Sequence, residues 1–257
     1  MTIVRWSGRP PPLASPERAV EPGRRAMSAR AADSLRRLLG LLFQSHPWHG
    51  VSPGPDAPAV VTVFIELVST DTVKYEIDKE SGLLKLDRPQ RYSSLSPEPY
   101  GFVPRTLCDR EVAERASGAS TPSGLRGDQD PLDACVLTDR PLNHGVVLVR
   151  ARPIGGLRML DGNDVDDKII AVLESDPTYE TWQDLGDCPA VLVDRLKHYF
   201  LTYKDMPGTG SRRSELLGTY GADEARAVIE AARRDYLARF GDLERLLRDA
   251  AAQRPGS

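Results

Sequence analysis

The chain has 257 residues, with 34 basic and 37 acidic side chains, a formal charge of -3 and 40% hydrophobic residues. That length suits one main domain with appendages, and the near-balance of charge excludes bulk electrostatics as a basis for nucleic-acid or anionic-membrane binding. Three cysteines, Cys108, Cys135 and Cys188, are too few and too scattered for a zinc ribbon or a disulfide framework, and point to a reducing, cytoplasmic setting.

Residues 1–32 are rich in Pro, Arg, Ser and Gly, with no period on which a core face could be built. They predict a disordered N-terminal extension, with Met27 a candidate true start. Asp33 and Ser34 then precede Leu35, Leu38, Leu39 and Leu42 at helical spacing, which predicts a short amphipathic helix ended by "HPWHG" at 46–50. The apolar run at 38–43 falls far short of the roughly 20 residues of a membrane span, and no signal-like segment precedes it.

From Val60 the pattern changes to short β-branched or alternating runs: "VVTVFIEL", "TVKYEID", "GLLKLDR", "DACVLT", "GVVLVRARPIG" and "KIIAVL". Successive strands at hairpin-length spacing predict a closed antiparallel barrel rather than a parallel sheet. The polar, turn-rich stretch at 108–127 reads as a surface insertion. Helices are expected from 189 ("PAVLVDRLKHYFLTY") and from 222 ("ADEARAVIEAARRDYLARF"), where Val228, Ile229, Ala232 and Tyr236 recur on one face; the tail "AAQRPGS" frays. Residues 33–257 are thus read as a single domain with a helical C-terminus.

Three polar constellations carry chemistry. On the strand "VKYEID", alternation puts Lys74 and Glu76 on one face, which by itself is equally a cross-strand salt bridge in solvent. "GDQDPLD" crowds Asp128, Asp130 and Asp133 into six positions. It is no calcium loop of the EF-hand kind, because Asp133 stands where that loop needs Gly and Asp139 where it takes Glu; an acidic turn is its plainest reading. In "LDGNDVDDK", Asp166 and Lys168 project together, with Asp161 across a turn. If the three converge, Glu66, Glu76, Asp128, Asp130, Asp133, Asp161 and Asp166 outnumber Lys74, Arg88, Lys168 and Lys204 by about three charges. All-oxygen donors in such excess favour hard divalent ions, Mg²⁺ or Mn²⁺, and metals flanked by Lys and Arg suit phosphoryl transfer.

The order "KYEIDKESG", "YGFVP.TL", "GDQDPLD", "RPIGGLRMLD....DDKI" and "HYFLTYK" resembles the soluble family I inorganic pyrophosphatases from about Val60 to Lys204. The resemblance implies an α+β fold, a five-stranded OB-like antiparallel barrel flanked by helices, with an acidic cavity at one end. It implies hydrolysis of pyrophosphate, with Mg²⁺ as cofactor, by a homo-oligomer (hexamers in bacteria, dimers in eukaryotes). Carried over by motif, Lys74, Arg88, Tyr100, Tyr203 and Lys204 would contact phosphate with Lys168 close by. Asp128, Asp133 and Asp166 would hold a metal pair, Asp161 with Asp166 a substrate-borne metal, and Glu66 and Glu76 would stand behind them. Asp130 would orient or deprotonate the attacking water. Lys204 is expected in the last turn of its helix, where the helix dipole favours a cation. Two positions depart from the family pattern: Ser96 stands where tyrosine is familiar, and Gln129 replaces the glycine of the signature, so that it must point away from the metals or crowd them. A non-catalytic phosphate-binding relative would have no need of Asp130. A haloacid-dehalogenase phosphatase would need a βα alternation that does not follow "DQD".

Overall fold

The computed structural model describes residues 45–91, 93–117, 122–204 and 214–242, with 245, 246 and 249 beyond them. The predicted extension at 1–32, the helix at 33–43 and the tail at 251–257 lie outside the described residues.

Among the described residues, ten strands and three α-helices have both ends defined. They are β1 (Val61–Leu67), β2 (Val73–Ile77), β3 (Leu84–Pro89), β4 (Tyr100–Phe102), α1 (Arg110–Ala116), β5 (Arg126–Gly127), β6 (Asp133–Leu137), β7 (Val147–Asp161), β8 (Asp164–Val165), β9 (Lys168–Leu173), α2 (Ala190–Thr202), β10 (Ser214–Gly221) and α3 (Ala222–Phe240). β1, β4, β6, β9 and β7 pair in that order, and β7 returns to β1, which closes a five-stranded ring. Four of its seams are antiparallel and one, β6 with β9, is parallel, because β9 inserts between β6 and the antiparallel β7. β2 and β3 form a separate hairpin, and β10 lies along the distal half of β7 from Ser214 opposite Asp161 to Gly221 opposite Gly155.

Closure is tight at β4. A Cβ on Gly101 would stand 1.8 Å from the Phe64 carbonyl oxygen, so only glycine lets β4 approach β1 this closely. The apolar runs of β6 and β9 are buried on both faces, which is why they read as continuous rather than alternating. Ala134, Val136, Ile169 and Ala171 join a cluster with Val228, Ile229 and Ala232 of α3. Cys135, Leu137, Ile170 and Val172 pack with Val193, Leu196, Tyr199 and Phe200 of α2.

The structure revises three expectations. In the stretch expected to be a surface insertion, 108–127, of which 118–121 lie outside the described residues, Cys108, Val112, Ala113 and Ala116 lie in the same core cluster as α3. The buried Asp235 of α3 accepts hydrogen bonds from the backbone N–H groups of Asp109, Glu111 and Val112 and so caps α1. The surface reading fails because its polar residues surround a short apolar face of helical spacing. β10, "SELLGTYG", was not anticipated, since its two glycines and weak alternation leave little strand signal. Lys204 lies beyond the end of α2, which stops at Thr202, rather than within its last turn. Residues 46–50 form an aromatic plug: Trp48 stacks on His49, meets Phe240 edge-on and donates its indole N–H to the Thr106 carbonyl at 2.7 Å.

Candidate active site

One end of the barrel opens into a cavity of about 720 Å³, and all thirteen side chains singled out in the sequence line it. β1 brings Glu66; the β2–β3 hairpin brings Lys74, Glu76 and Arg88; β4 brings Tyr100. Asp128, Asp130 and Asp133 come from the turn into β6, Asp161 from the end of β7, Asp166 and Lys168 from the start of β9, and Tyr203 and Lys204 from the exit of α2. Two-residue alternation explains the pairs. Lys74 and Glu76 share a face, as do Asp166 and Lys168.

Lys168 is the centre of the charge network. Only 3% exposed, its ammonium donates to both Asp133 and Asp166, and Asp133 also accepts from the Tyr100 hydroxyl. Burial works against the Lys168 charge, but Asp133 and Asp166 outweigh it and hold the lysine protonated. Lys204 Nζ lies 2.7 Å from Asp161 Oδ2. Lys74 Nζ lies 3.1 Å from Glu76 and 3.5 Å from Asp87, and Lys79 rests on Asp130. The Asp130 backbone N–H donates to Asp128 Oδ1 at 2.9 Å, which ties the turn. Burial, then Asp166 and Asp133, push Asp128 up to about 8. Burial with Asp133 does the same to Glu66, whose Oε1 accepts from the Ile77 N–H at 2.6 Å.

The sequence reading missed Asp78, Lys79, Glu80, Lys85, Asp87 and Asp164, which also line the cavity. Lys79 stands in the quoted "KYEIDKESG" run, but strand alternation stops at Ile77 and says nothing of a hairpin tip that leans over the opening. Eleven carboxylates and six cations line the cavity in all, an excess of five negative charges when every group is ionised. The two departures resolve cleanly. Ser96 is buried and its hydroxyl donates to the Glu98 carbonyl at 2.7 Å instead of facing the cavity. Gln129, at φ 64°, turns away from the acids and donates from Nε2 to Asp109 Oδ1 at 2.7 Å.

Among the described residues no three His, Cys, Asp or Glu side chains already stand as a metal-holding group; the carboxylates turn to lysines. The donor set nonetheless fits hard divalent cations. It is all oxygen, its carboxyls outnumber its cations, and two of the carboxyls are driven to about 8 by burial and by neighbouring carboxylates. Arg88 keeps a buried guanidinium nitrogen, Nη2, without a hydrogen-bond acceptor, as a group meant for an anion would.

A closed OB-like barrel whose mouth gathers carboxylates, lysines and phenols defines a phosphate-handling barrel protein. The chain belongs to the inorganic pyrophosphatase family: the family model "Inorganic pyrophosphatase" matches residues 63–237. It is 46% identical over 199 residues to the inorganic pyrophosphatase of Chlamydia caviae, covering 76% of this chain and 92% of that protein. Among solved structures it is similar to the inorganic pyrophosphatase of Thermus thermophilus (TM-score 0.63, 30% identity, 75% of this chain and 99% of that one). It is likewise similar to that of Helicobacter pylori (TM-score 0.59, 34% identity, 72% and 98%).

Proposed function

We propose that this chain hydrolyses inorganic pyrophosphate to two orthophosphates with Mg²⁺ as cofactor, Mn²⁺ serving as a substitute. The observation that carries the reading is the convergence of thirteen separately placed residues on one cavity where eleven carboxyl groups face six cations. Asp128, Asp133, Asp161 and Asp166 would hold the metals, with Glu66 and Glu76 behind them. Bound Mg²⁺ supplies a Lewis acid that acidifies water and shields the anion. Lys74, Arg88, Lys168 and Lys204 bind phosphate oxygens, and Tyr100 and Tyr203 donate hydrogen bonds without adding charge. Arg88 is steadied by the Tyr203 ring, 5.7 Å from its guanidinium carbon. Asp130 accepts the proton of the attacking water, with the Lys79 ammonium paired to it. Three buried free thiols accord with a cytoplasmic setting, and among the described residues no helix is long and apolar enough to cross a membrane. The family resemblance extends the proposal to a homo-oligomer.

Turnover against Mg²⁺ concentration and pH in three variants tests the roles. Asp128→Asn and Asp133→Asn should raise metal demand and regain activity with added Mg²⁺ or Mn²⁺. Asp130→Asn should keep its metal demand and lose roughly 10²- to 10⁴-fold in turnover. Rescue of Asp130→Asn by metal alone would make it a ligand. Absence of phosphate release by the intact protein at any Mg²⁺ concentration would favour a binding relative.

A further inference from the structure

The segment that carries Asp166 and Lys168 into the cavity carries a third charge away from it. Side chains alternate along extended backbone, so Asp167 points to the opposite side, where it is 1% exposed. There Tyr220 of β10 donates its hydroxyl to Asp167 Oδ2 at 3.0 Å, and Arg158 of β7 approaches the same oxygen from Nε and Nη2, each at 3.4 Å. The Arg158 guanidinium lies 5.0 Å from the centroid of the Tyr220 ring. That ring occupies the space above Gly156, with atoms 2.4 Å from where a Cβ would stand. Arg158 also donates to Glu224 Oε1 in the first turn of α3 at 2.9 Å and to the Arg115 carbonyl of α1 at 3.1 Å. Side chains of two strands therefore meet on one buried carboxylate that sits between the two cavity residues, and Arg158 ties it to two helices.

A charge this deep persists only when paired, and an apolar residue of like volume would support folding as well. What the ion pair adds is direction. Asp167 is gripped at a single oxygen by two partners, Arg158 on β7, which pairs with β9, and Tyr220 on β10, the next strand beyond β7. That fixes the rotation of the short extended segment about its own axis, and the same rotation aims Asp166 and Lys168. We propose that Asp167, held by Arg158 and Tyr220, is a positioning residue that sets the aim of Asp166 and Lys168 toward metal and phosphate. The inference rests on the reading of Asp166 as a metal ligand and Lys168 as a phosphate contact.

Calorimetric titration of Mg²⁺ into substrate-free protein, with kcat and KM measured alongside, separates aiming from support. The intact protein is the reference: no Mg²⁺ uptake by it would sink the metal-site reading itself, and this inference with it. Where the intact protein binds, Asp167→Asn, of equal volume but without the charge, should weaken Mg²⁺ binding about tenfold and lower kcat with little change in KM. Tyr220→Phe removes one hydrogen bond and keeps the ring, and should weaken Mg²⁺ binding about threefold. Glu174→Gln, which breaks the surface pair with Arg150, should change neither quantity. If Asp167→Asn melts earlier yet binds Mg²⁺ and turns over as the intact protein does, Asp167 only supports the fold and the proposal is overturned. Should Asp167→Asn fail to fold, Tyr220→Phe decides alone, and unchanged Mg²⁺ affinity and kcat in that variant overturn it.

Discussion

Gln129 offers a sharp test of the acidic turn, because glycine and alanine should exchange their usual ranks there. Its φ of 64° is a left-handed conformation, which costs an L-residue roughly 1–2 kcal/mol and glycine almost nothing. Gln129→Gly and Gln129→Ala both lose the hydrogen bond from Nε2 to Asp109, so that loss cancels between them. Both keep the backbone bond from Gln129 N–H to the Cys108 carbonyl at 3.0 Å. What separates them is the strain, present in alanine and absent in glycine, set against the roughly 0.5–1 kcal/mol by which glycine's freedom favours the unfolded chain. The balance spans about 0–1.5 kcal/mol in favour of glycine, centred on about 0.75 kcal/mol, or about 1.5–3 °C in melting temperature for a domain of this size. Gln129→Val, branched at Cβ, should fall below both. Thermal and urea denaturation of the three variants provide the measurement. An alanine variant as stable as the glycine one, or more stable, would show that the turn relaxes out of the left-handed region and would refute the strain argument.

Other outcomes follow from the same structure. Divalent metal should stabilise the protein, by about 2.7 kcal/mol at a free concentration 100 times the dissociation constant; a melting temperature indifferent to Mg²⁺ at neutral pH would count against the converged carboxylates. Asp235→Ala strips three backbone N–H groups at the start of α1 of their acceptor and should cost about 2–4 kcal/mol in urea denaturation, whereas a surface insertion would lose almost nothing. Burial, with His46 and Arg105 nearby, lowers His49 from 6.5 to about 4. Protonation then favours the unfolded chain, so the contribution is intact above pH 6.5 and is lost as pH falls toward 4; His49→Gln should flatten the melting profile in that window relative to the intact protein, and equal slopes would contradict the assignment.

The convergence of the candidate site residues on one cavity was far more legible than the frame that holds them. Asp128, Asp130 and Asp133 lie within one turn, Lys74 with Glu76 and Asp166 with Lys168 sit at strand spacing, and each pair's common face follows from alternation alone. The strands that carry them announced themselves as apolar runs. Other features depend on contacts remote in sequence. The β10 strand is held by its register with β7 rather than by its own composition. The helix α1 owes its cap to Asp235, more than a hundred positions downstream. Lys79 reaches Asp130 because the β2–β3 hairpin leans across the barrel mouth, a tilt fixed in part by the ring of His46, which donates from Nε2 to the Lys79 carbonyl at 3.2 Å. Nothing in "DVDDK" tells which of its aspartates faces Arg158, so the role of Asp167 has no signal in the sequence.

Synthesis runs from the N-terminus, and the ring cannot close in that order. Val61 of β1 waits for Ala151 of β7, roughly 90 positions downstream, and the seam between β6 and β9 cannot form before residues 168–173 have been made. A nascent chain that stops short of Lys168 already holds Asp128, Asp130 and Asp133 but lacks the lysine that offsets them. It also presents unpaired edges on β1 and β6, open to pairing with another chain. The ribosome-bound intermediate, more than the finished enzyme, is therefore the form most exposed to aggregation, and the stage at which a chaperone would have most to shield.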